Sequence, residues 1–222
     1  MIPIRDKIPS SSFPVVNTAL IVLNVLVFFY EVGLGRETQE FIYNWGLIPA
    51  ELGRAGLFGQ IYPFFTSMFL HGGWLHVIFN MLYLYIFGDN VEDRMGHFKY
   101  LVFYLLAGLC AALAQVLINP SSSVPMVGAS GAIAGVLGAY FVYFPKSRIL
   151  TLLPVFYFIQ LVEIPALAFL LIWFIIQFLS GVTSMLVSTQ EVGGVAWWAH
   201  IGGFAAGFIL AKPFSKRFLK AF

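Results

Sequence analysis

The chain carries at residues 126–144 the apolar stretch MVGASGAIAGVLGAYFVYF, in which Ser130 stands within the segment Gly128-Ala129-Ser130-Gly131. Seventy positions after Ser130 comes a second glycine-rich segment, Ala199-His200-Ile201-Gly202-Gly203, again inside a long apolar run. Polar and ionisable residues in such runs are costly, and they often mark functional sites. A serine and a histidine are also sufficient for nucleophilic catalysis. The question is whether the fold brings them together.

The composition indicates a membrane protein. Hydrophobic residues make up 60% of the 222 residues and charged residues only 10%, whereas a soluble domain has about 25% charged residues. One cysteine, Cys110, excludes an intramolecular disulfide and a metal site built from cysteines. The formal net charge is only +2, and we expect the lipid bilayer, not nucleic acid, as the surrounding partner.

Apolar stretches of about 17–25 residues identify helices that span a bilayer. The sequence predicts six of them, at residues 14–33, 70–88, 99–118, 126–144, 164–186 and 196–213. No internal repeat or linker divides the chain, so we expect a single domain over residues 1–222. The predicted fold is an all-α polytopic membrane protein, a bundle of six transmembrane helices.

The basic residues predict the orientation of these spans, because Lys and Arg accumulate on the cytoplasmic side. With six spans and both termini cytoplasmic, only Arg36 and Arg54 lie outside. The ten others share the inner side: Arg5, Lys7, Arg94, Lys99, Lys146, Arg148, Lys212, Lys216, Arg217 and Lys220. Residues 149–164 are apolar but interrupted by Pro154. A seventh span there would place the basic C-terminus outside, so we expect an interfacial segment on the cytoplasmic surface.

With six spans, the fourth and the sixth both run from outside to inside. Ser130 lies 14 residues before Phe144, which is roughly 21 Å up a hydrocarbon core of about 30 Å. His200 lies a few residues below the outer end of the sixth span. The second span also enters from outside and carries His76 and Asn80, which share one helical face at i and i+4. All four polar residues are therefore predicted in the outer half of the membrane.

This set of residues matches the needs of acyl transfer, which requires a nucleophile, a base and donors to the oxyanion. Ser130 can be the nucleophile and His200 the base. His76, Asn80 and the Ser130 backbone N–H can supply the oxyanion donors. No acidic residue lies in the outer half of the fourth or sixth span, so a dyad is favoured. A triad remains possible if Glu191, in the last outer loop, folds back onto the histidine.

Glycines explain how two helices could approach closely enough for a serine to contact a histidine. The fourth span presents a small-residue stripe, and the sixth span has glycines at +3 and +7 from His200: Gly128, Gly131, Gly135, Gly138, Gly203 and Gly207. Structural alternatives remain open. The serine could simply pack or bond to its own helix, and the histidine could join two helices or a proton path. His71 and His76 are spaced wrongly for one metal-binding helical face, and we predict no metal.

At these residues the chain resembles the rhomboid family of intramembrane serine proteases. The matching segments are His71-Gly72-Gly73-Trp74-Leu75-His76 with Asn80, the two segments around Ser130 and His200, and Gly88 through Glu92 with Arg94 and Gly96. The resemblance implies a six-helix bundle with a water-filled cavity that opens outward, and cleavage of single-pass transmembrane proteins without a cofactor. It implies Ser130 as nucleophile, His200 as base, and structural roles for Glu92 and Arg94.

Two positions depart from the family pattern. Tyr62-Pro63 replaces a Trp-Arg pair common in the first outer loop, and Ala134 replaces an aromatic residue that stacks on the histidine in some members. His200 must then be positioned in another way, for which the close glycine face is one candidate. The competing functions are a non-catalytic rhomboid-like binder and a transporter or proton channel. The binder would lack Ser130 or His200, and both are present. The transporter or channel would show an inverted repeat or acidic residues at the midplane, and the sequence has neither. From the short tails we expect a bacterial inner membrane.

Overall fold

A computed structural model describes residues 1–52, 57–155, 158–186 and 195–216. Within these ranges the chain forms eight α-helices, three β-strands and three short 3₁₀ turns. The helices are α1 (Val15–Gly33), α2 (Thr38–Trp45), α3 (Leu57–Thr66), α4 (Trp74–Met95), α5 (His97–Ile118), α6 (Ser130–Tyr143), α7 (Ala166–Leu186) and α8 (Trp197–Phe214). The strands are β1 (Ile2–Asp6), β2 (Arg148–Val155) and β3 (Phe158–Pro165).

Helix α6 lies at the centre of the molecule, and every residue from Ala132 to Tyr140 is buried. Helices α4, α5 and α8 pack directly around it, while α1 and α7 lie on the outside of this group. Among the described residues, α1, α5 and α7 are long and apolar enough to cross a membrane. The segments Ile61–Phe69 and Trp74–Met95, bent by 88° against each other, qualify together as a broken span. The predicted fold class, an all-α polytopic membrane protein, is confirmed. The count of six spans stays a prediction.

Helices α4 and α6 begin at Trp74 and Ser130, whereas the apolar runs begin at residues 70 and 126. In both cases a glycine with positive φ turns the chain just before the helix, +155° at Gly73 and +122° at Gly128. Such φ values suit glycine because it has no Cβ. Apolarity cannot distinguish a buried loop from a helix, so the runs predicted both helices four residues too early.

Within the predicted interfacial segment at residues 149–164, the described residues form the paired strands β2 and β3 of a β-hairpin, which the sequence did not predict. Strands β2 and β3 pair antiparallel, and β1 pairs antiparallel with β2, so that Asp6 lies opposite Ile149. Lys7 and Glu163 add an ion pair of 2.5 Å across the sheet. Because Arg148 and Pro165 are register partners, the hairpin returns the chain to the end of the bundle where α6 stops. Helix α7 therefore starts at the same end, as an interfacial segment requires.

The motif of Gly88 through Glu92 with Arg94 and Gly96, at the C-terminal end of α4, connects α4 to helices α1 and α6. The Glu92 carboxylate is buried and accepts the backbone N–H groups of Val16 and Asn17, at 2.9 and 2.7 Å. These are among the N–H groups that a helix leaves without an internal acceptor, and a carboxylate there is favoured by the helix dipole. The Arg94 guanidinium lies 5.7 Å from the ring centre of Tyr143 on α6. Both contacts fit the structural role expected for the motif.

The segment between α1 and α4 contains α2 and α3, and Tyr62 helps to hold these two helices together. The Tyr62 hydroxyl donates to the Asn44 carbonyl at 3.0 Å, and its ring lies 5.7 Å from that of Trp45. The Thr66 hydroxyl donates to the Trp45 carbonyl at 2.6 Å. Aromatic and hydroxyl contacts thus stabilise the loop at the position where the family pattern has a Trp-Arg pair.

Candidate active site

Ser130 is the first residue of α6. The first i→i−4 hydrogen bond of this helix joins the Ile133 N–H to the Ala129 carbonyl at 2.9 Å, so the Ser130 N–H precedes the helical ladder and is free to bind a ligand. A helix of 14 residues is about 21 Å long, shorter than a hydrocarbon core of about 30 Å. Helix α6 is therefore too short to cross the hydrocarbon core by itself.

Glycines allow the backbones of α6 and α8 to touch. A Cβ added to Gly203 would overlap the carbonyl oxygen of Gly131, and one added to Gly207 would overlap that of Gly135. Helices with such small faces approach closely enough for backbone contact. The contact runs in register along both helices, and it places the N-terminal ends of α6 and α8 side by side.

The serine and the histidine meet at these N-terminal ends. The Ser130 hydroxyl oxygen Oγ lies 2.8 Å from His200 Nε2, within hydrogen-bond distance. On the other side of the ring, His200 Nδ1 lies 2.7 Å from the amide oxygen Oε1 of Gln177 on α7. An amide oxygen can only accept, so Nδ1 carries the hydrogen and Nε2 presents its lone pair to the Ser130 hydroxyl. This is the arrangement in which an imidazole can accept a proton from a serine.

Gln177 is a residue that the sequence analysis missed. The sequence offers Glu191 as an acidic third member, and that residue lies outside the described residues. The available signal was a lone amide in the otherwise apolar stretch LAFLLIWFIIQFL, residues 167–179. A polar side chain in such a helix is costly without a partner, as the same analysis had argued for the serine and the histidine.

Two tryptophans flank the histidine. The Trp173 and Trp197 ring centres lie 6.1 and 6.2 Å from that of His200, at interplanar angles of 37° and 87°. Ala134, at the position where some family members carry an aromatic residue, is fully buried in α6. Aromatic rings from α7 and α8 thus surround the histidine in place of one from α6.

His76 and Asn80 lie beside the same turn. The Gly72 N–H donates to His76 Nδ1 at 3.3 Å, which leaves His76 Nε2 as the N–H donor of the ring. A Cβ on Gly128 would lie 2.6 Å from this Nε2 and 3.6 Å from Asn80 Nδ2. In the described part of the chain, Asn80 Nδ2 is buried and has no hydrogen-bond partner. Two donors from α4 therefore face the backbone immediately before Ser130.

These groups line one cavity of about 940 Å³ between α4, α6, α7 and α8. Its walls include Ser130, His200, Gln177, His76 and Asn80. The volume falls within the range of small-molecule pockets, about 300–1,000 Å³, and it can admit a peptide segment and water. The four polar residues predicted at one depth do lie together. The roles predicted for them remain predictions.

The geometry agrees with comparisons to known sequences. The family described as Rhomboid domain matches residues 58–217, and the chain therefore belongs to the rhomboid family. Rhomboid protease GluP of Bacillus subtilis is 30% identical over 213 residues, which cover 94% of this chain and 38% of that protein. Rhomboid protease AarA of Providencia stuartii is 31% identical over 140 residues, or 57% of this chain and 50% of that protein. RHOMBOID-like protein 1 of Arabidopsis thaliana is 30% identical over 155 residues, 70% of this chain and 35% of that protein. The matched regions thus span half or less of these relatives.

Proposed function

We propose that this chain is an intramembrane serine endopeptidase that cleaves single-pass transmembrane proteins by a Ser130–His200 dyad. The observation that carries the proposal is the 2.8 Å contact between Ser130 Oγ and His200 Nε2, in a cavity that also holds the unpaired donor of Asn80. Membership of the rhomboid family supports it. Two of the relatives are named rhomboid proteases.

In this mechanism, Ser130 Oγ attacks the carbonyl carbon of the scissile peptide bond, and its proton passes to His200 Nε2. The carbonyl oxygen becomes an oxyanion, which the Ser130 N–H, His76 Nε2–H and Asn80 Nδ2–H can stabilise. When the C–N bond breaks, the leaving amine takes the proton from His200. Water then gives a proton to His200 and attacks the acyl-serine, and the proton returns to Ser130 as the acid product leaves.

The mechanism requires a neutral imidazole, because a protonated Nε2 has no lone pair to accept the serine proton. We therefore expect activity to fall as the pH drops through the histidine range. The effects of removing Ser130 and His200 should not add, because members of one catalytic unit lose their function together.

The position of the site in the bilayer is also part of the proposal. We infer six spans with both termini cytoplasmic, and a cavity that opens to the outer face. Lipid contains no water, and the peptide bonds of a membrane helix are shielded by their hydrogen bonds. A substrate helix must therefore unwind locally to enter the cavity, and Gly or Pro near the scissile bond should speed cleavage because both weaken a helix. A bacterial inner membrane remains our expectation for the location.

The test uses the full chain in detergent with a fluorophosphonate probe and a single-pass substrate. Wild type should be labelled and should cleave the substrate, whereas Ser130→Ala and His200→Ala should do neither above background. Ser184→Ala is the matched control, since its hydroxyl donates to the Gly181 carbonyl within α7. Cleavage by Ser130→Ala at the wild-type rate would contradict the proposal. A wild type that binds membrane helices but is never labelled would indicate the non-catalytic alternative.

A further inference from the structure

We propose that Gln177 is the positioning residue of the base, which fixes the tautomer and the ring orientation of His200 from a third helix. The inference rests on the proposed function. It replaces the bare dyad by a unit in which a neutral amide stands where other serine hydrolases use a carboxylate.

The positions of the two partners of the His200 ring support this role. His200 has two ring nitrogens, and each has one partner on the opposite side of the ring: Ser130 Oγ at 2.8 Å and Gln177 Oε1 at 2.7 Å. With Oε1 as acceptor, only the tautomer protonated on Nδ1 satisfies the contact. Without this acceptor, a neutral imidazole could carry its hydrogen on Nε2 and would then donate to Ser130 instead of accepting from it.

The burial of Gln177 supports the same role. The Gln177 side chain is only 7% exposed, and an amide in an apolar setting is costly without a hydrogen bond. The contact to His200 supplies that bond. The tryptophan rings cannot replace it, since Trp173 and Trp197 lie more than 6 Å from the imidazole centre, Trp197 edge-on. They confine the ring but do not select its tautomer.

Gln177 lies on a different helix from Ser130 and His200. Ser130 and His200 lie on α6 and α8, whose glycine faces fix their spacing. Gln177 lies on α7, which packs on α8 through aromatic side chains such as Phe174 against Phe204, with ring centres 5.0 Å apart. The productive ring orientation therefore depends on α7 as well as on the glycine contact.

The chain offers a matched control in Gln115 on α5. Its Oε1 accepts the backbone N–H of Ala199 at 3.2 Å, so it also joins a glutamine to α8, one residue away from His200. Replacing either glutamine by leucine removes a hydrogen bond to α8 with little change in side-chain volume. Only the change at position 177 removes a partner of the imidazole.

The experiment compares Gln177→Leu, Gln177→Glu and Gln115→Leu with wild type. Two rates are measured: labelling of Ser130 by a small fluorophosphonate, which needs no helix to enter, and kcat and KM for a single-pass substrate. Gln177→Leu should lower the labelling rate and kcat by roughly ten- to a hundredfold, a loss typical of removing one hydrogen bond that orients a reacting group. KM should change by less than about twofold. Gln115→Leu should stay within about threefold of wild type in both rates.

Gln177→Glu restores an acceptor and adds a charge. It should be faster than Gln177→Leu at neutral pH, and the acid limb of its pH–rate profile should move to higher pH by about one unit, because a carboxylate stabilises the imidazolium. His76 and Tyr83, the other titratable side chains that the described structure places in the cavity wall, are the same in every variant. Gln177→Leu rates equal to those of Gln115→Leu, or a glutamate variant no faster than the leucine one, would overturn the inference. Failure of wild type itself to be labelled would instead refute the proposed function.

Discussion

Gly207 on α8 packs against the backbone of Gly135 on α6 so closely that a Cβ at Gly207 would overlap the Gly135 carbonyl oxygen. This contact lies five residues after Ser130 along α6 and seven residues after His200 along α8. It sets the distance between the two helices that carry the proposed nucleophile and base, at a point where neither residue takes part.

Gly207→Ala should therefore reduce activity without touching the site. The added methyl group must force the helices apart, and overpacking of this kind typically costs about 1–3 kcal/mol. We expect a lower melting temperature in detergent and a loss of fluorophosphonate labelling of more than tenfold. Gly33→Ala is the control, because in the described structure a Cβ at Gly33 meets nothing within 4 Å. Full activity in Gly207→Ala would show that the dyad tolerates a wider helix spacing.

Asn80→Ala should lower kcat by about 10²–10³, the usual cost of removing one oxyanion donor, with little change in KM. The reason is that Asn80 Nδ2 has no partner in the described part of the chain and gains one only as the oxyanion forms. Steady-state cleavage of a single-pass substrate measures both constants. Asn24→Ala is the comparison, since that buried amide donates to the Leu20 carbonyl at 2.7 Å within α1 and should affect stability alone. A change confined to KM would assign Asn80 to substrate binding.

Cysteines placed at positions 76 and 200 should react with a water-soluble thiol reagent added from the outer side, in a Cys110→Ser background. Both positions line the cavity, and the proposed topology opens it outward. Leu84→Cys is the negative control, because Leu84 is fully buried in α4. The measurement is mass-shift labelling in right-side-out and inverted vesicles. Reaction from the cytoplasmic side alone would contradict the proposed orientation.

Asp6 on β1 joins the sheet to the helices. Its carboxyl accepts the hydroxyl of Tyr140 at 2.6 Å and the amide of Asn90 at 3.0 Å. Burial, reinforced by the neighbouring Asp89 carboxyl, raises the pKa of Asp6 from 3.8 to about 6, although the Tyr140 hydrogen bond opposes this. The folded state thus binds a proton here more tightly than the unfolded chain does.

Stability should consequently depend on pH in a defined window. Because the folded pKa lies above the unfolded one, this contribution is complete below about pH 4 and is lost as the pH rises through about 6. We expect a change of about 1 kcal/mol after allowance for solvent screening. Asp6→Asn, which resembles the protonated acid, should remove this part of the pH dependence, measured by thermal unfolding in detergent between pH 4 and 7. An identical slope in both proteins would show that Asp6 does not titrate in this window.

Much of the helical framework followed from simple physical signals in the sequence. Long apolar runs predicted the helices, since a helix satisfies its own backbone polar groups in lipid, and the bounds of α1, α5, α7 and α8 fall within two residues of those predicted. The hairpin escaped detection because β2 and β3 show no regular alternation of polar and apolar residues. Pro154 suggested only an interruption, and the pairing of β1 with β2 joins segments more than 140 residues apart.

In the candidate active site, too, some residues could be predicted from the sequence and one could not. Ser130, His200, His76 and Asn80 were predicted at one depth because residue counts along helices convert directly into height. The third group, Gln177, could not be found by depth alone, because about one helical turn of α7 lies near that height and only acidic residues were expected there. Rotation of α7 about its axis decides which of its side chains faces the histidine, and that rotation comes from packing against α8.

The amide at position 177 also bears on how the protein enters its membrane. Each helix must pass into lipid before its neighbours are in place, and a carboxylate in the middle of a span costs about 2.5–3.5 kcal/mol at that stage. Gln177 carries no charge at any pH, so α7 can be inserted without a partner and can find His200 afterwards. A neutral amide at position 177 therefore lowers the free-energy cost of inserting α7 into the bilayer. It still supplies the acceptor that we propose for His200 Nδ1.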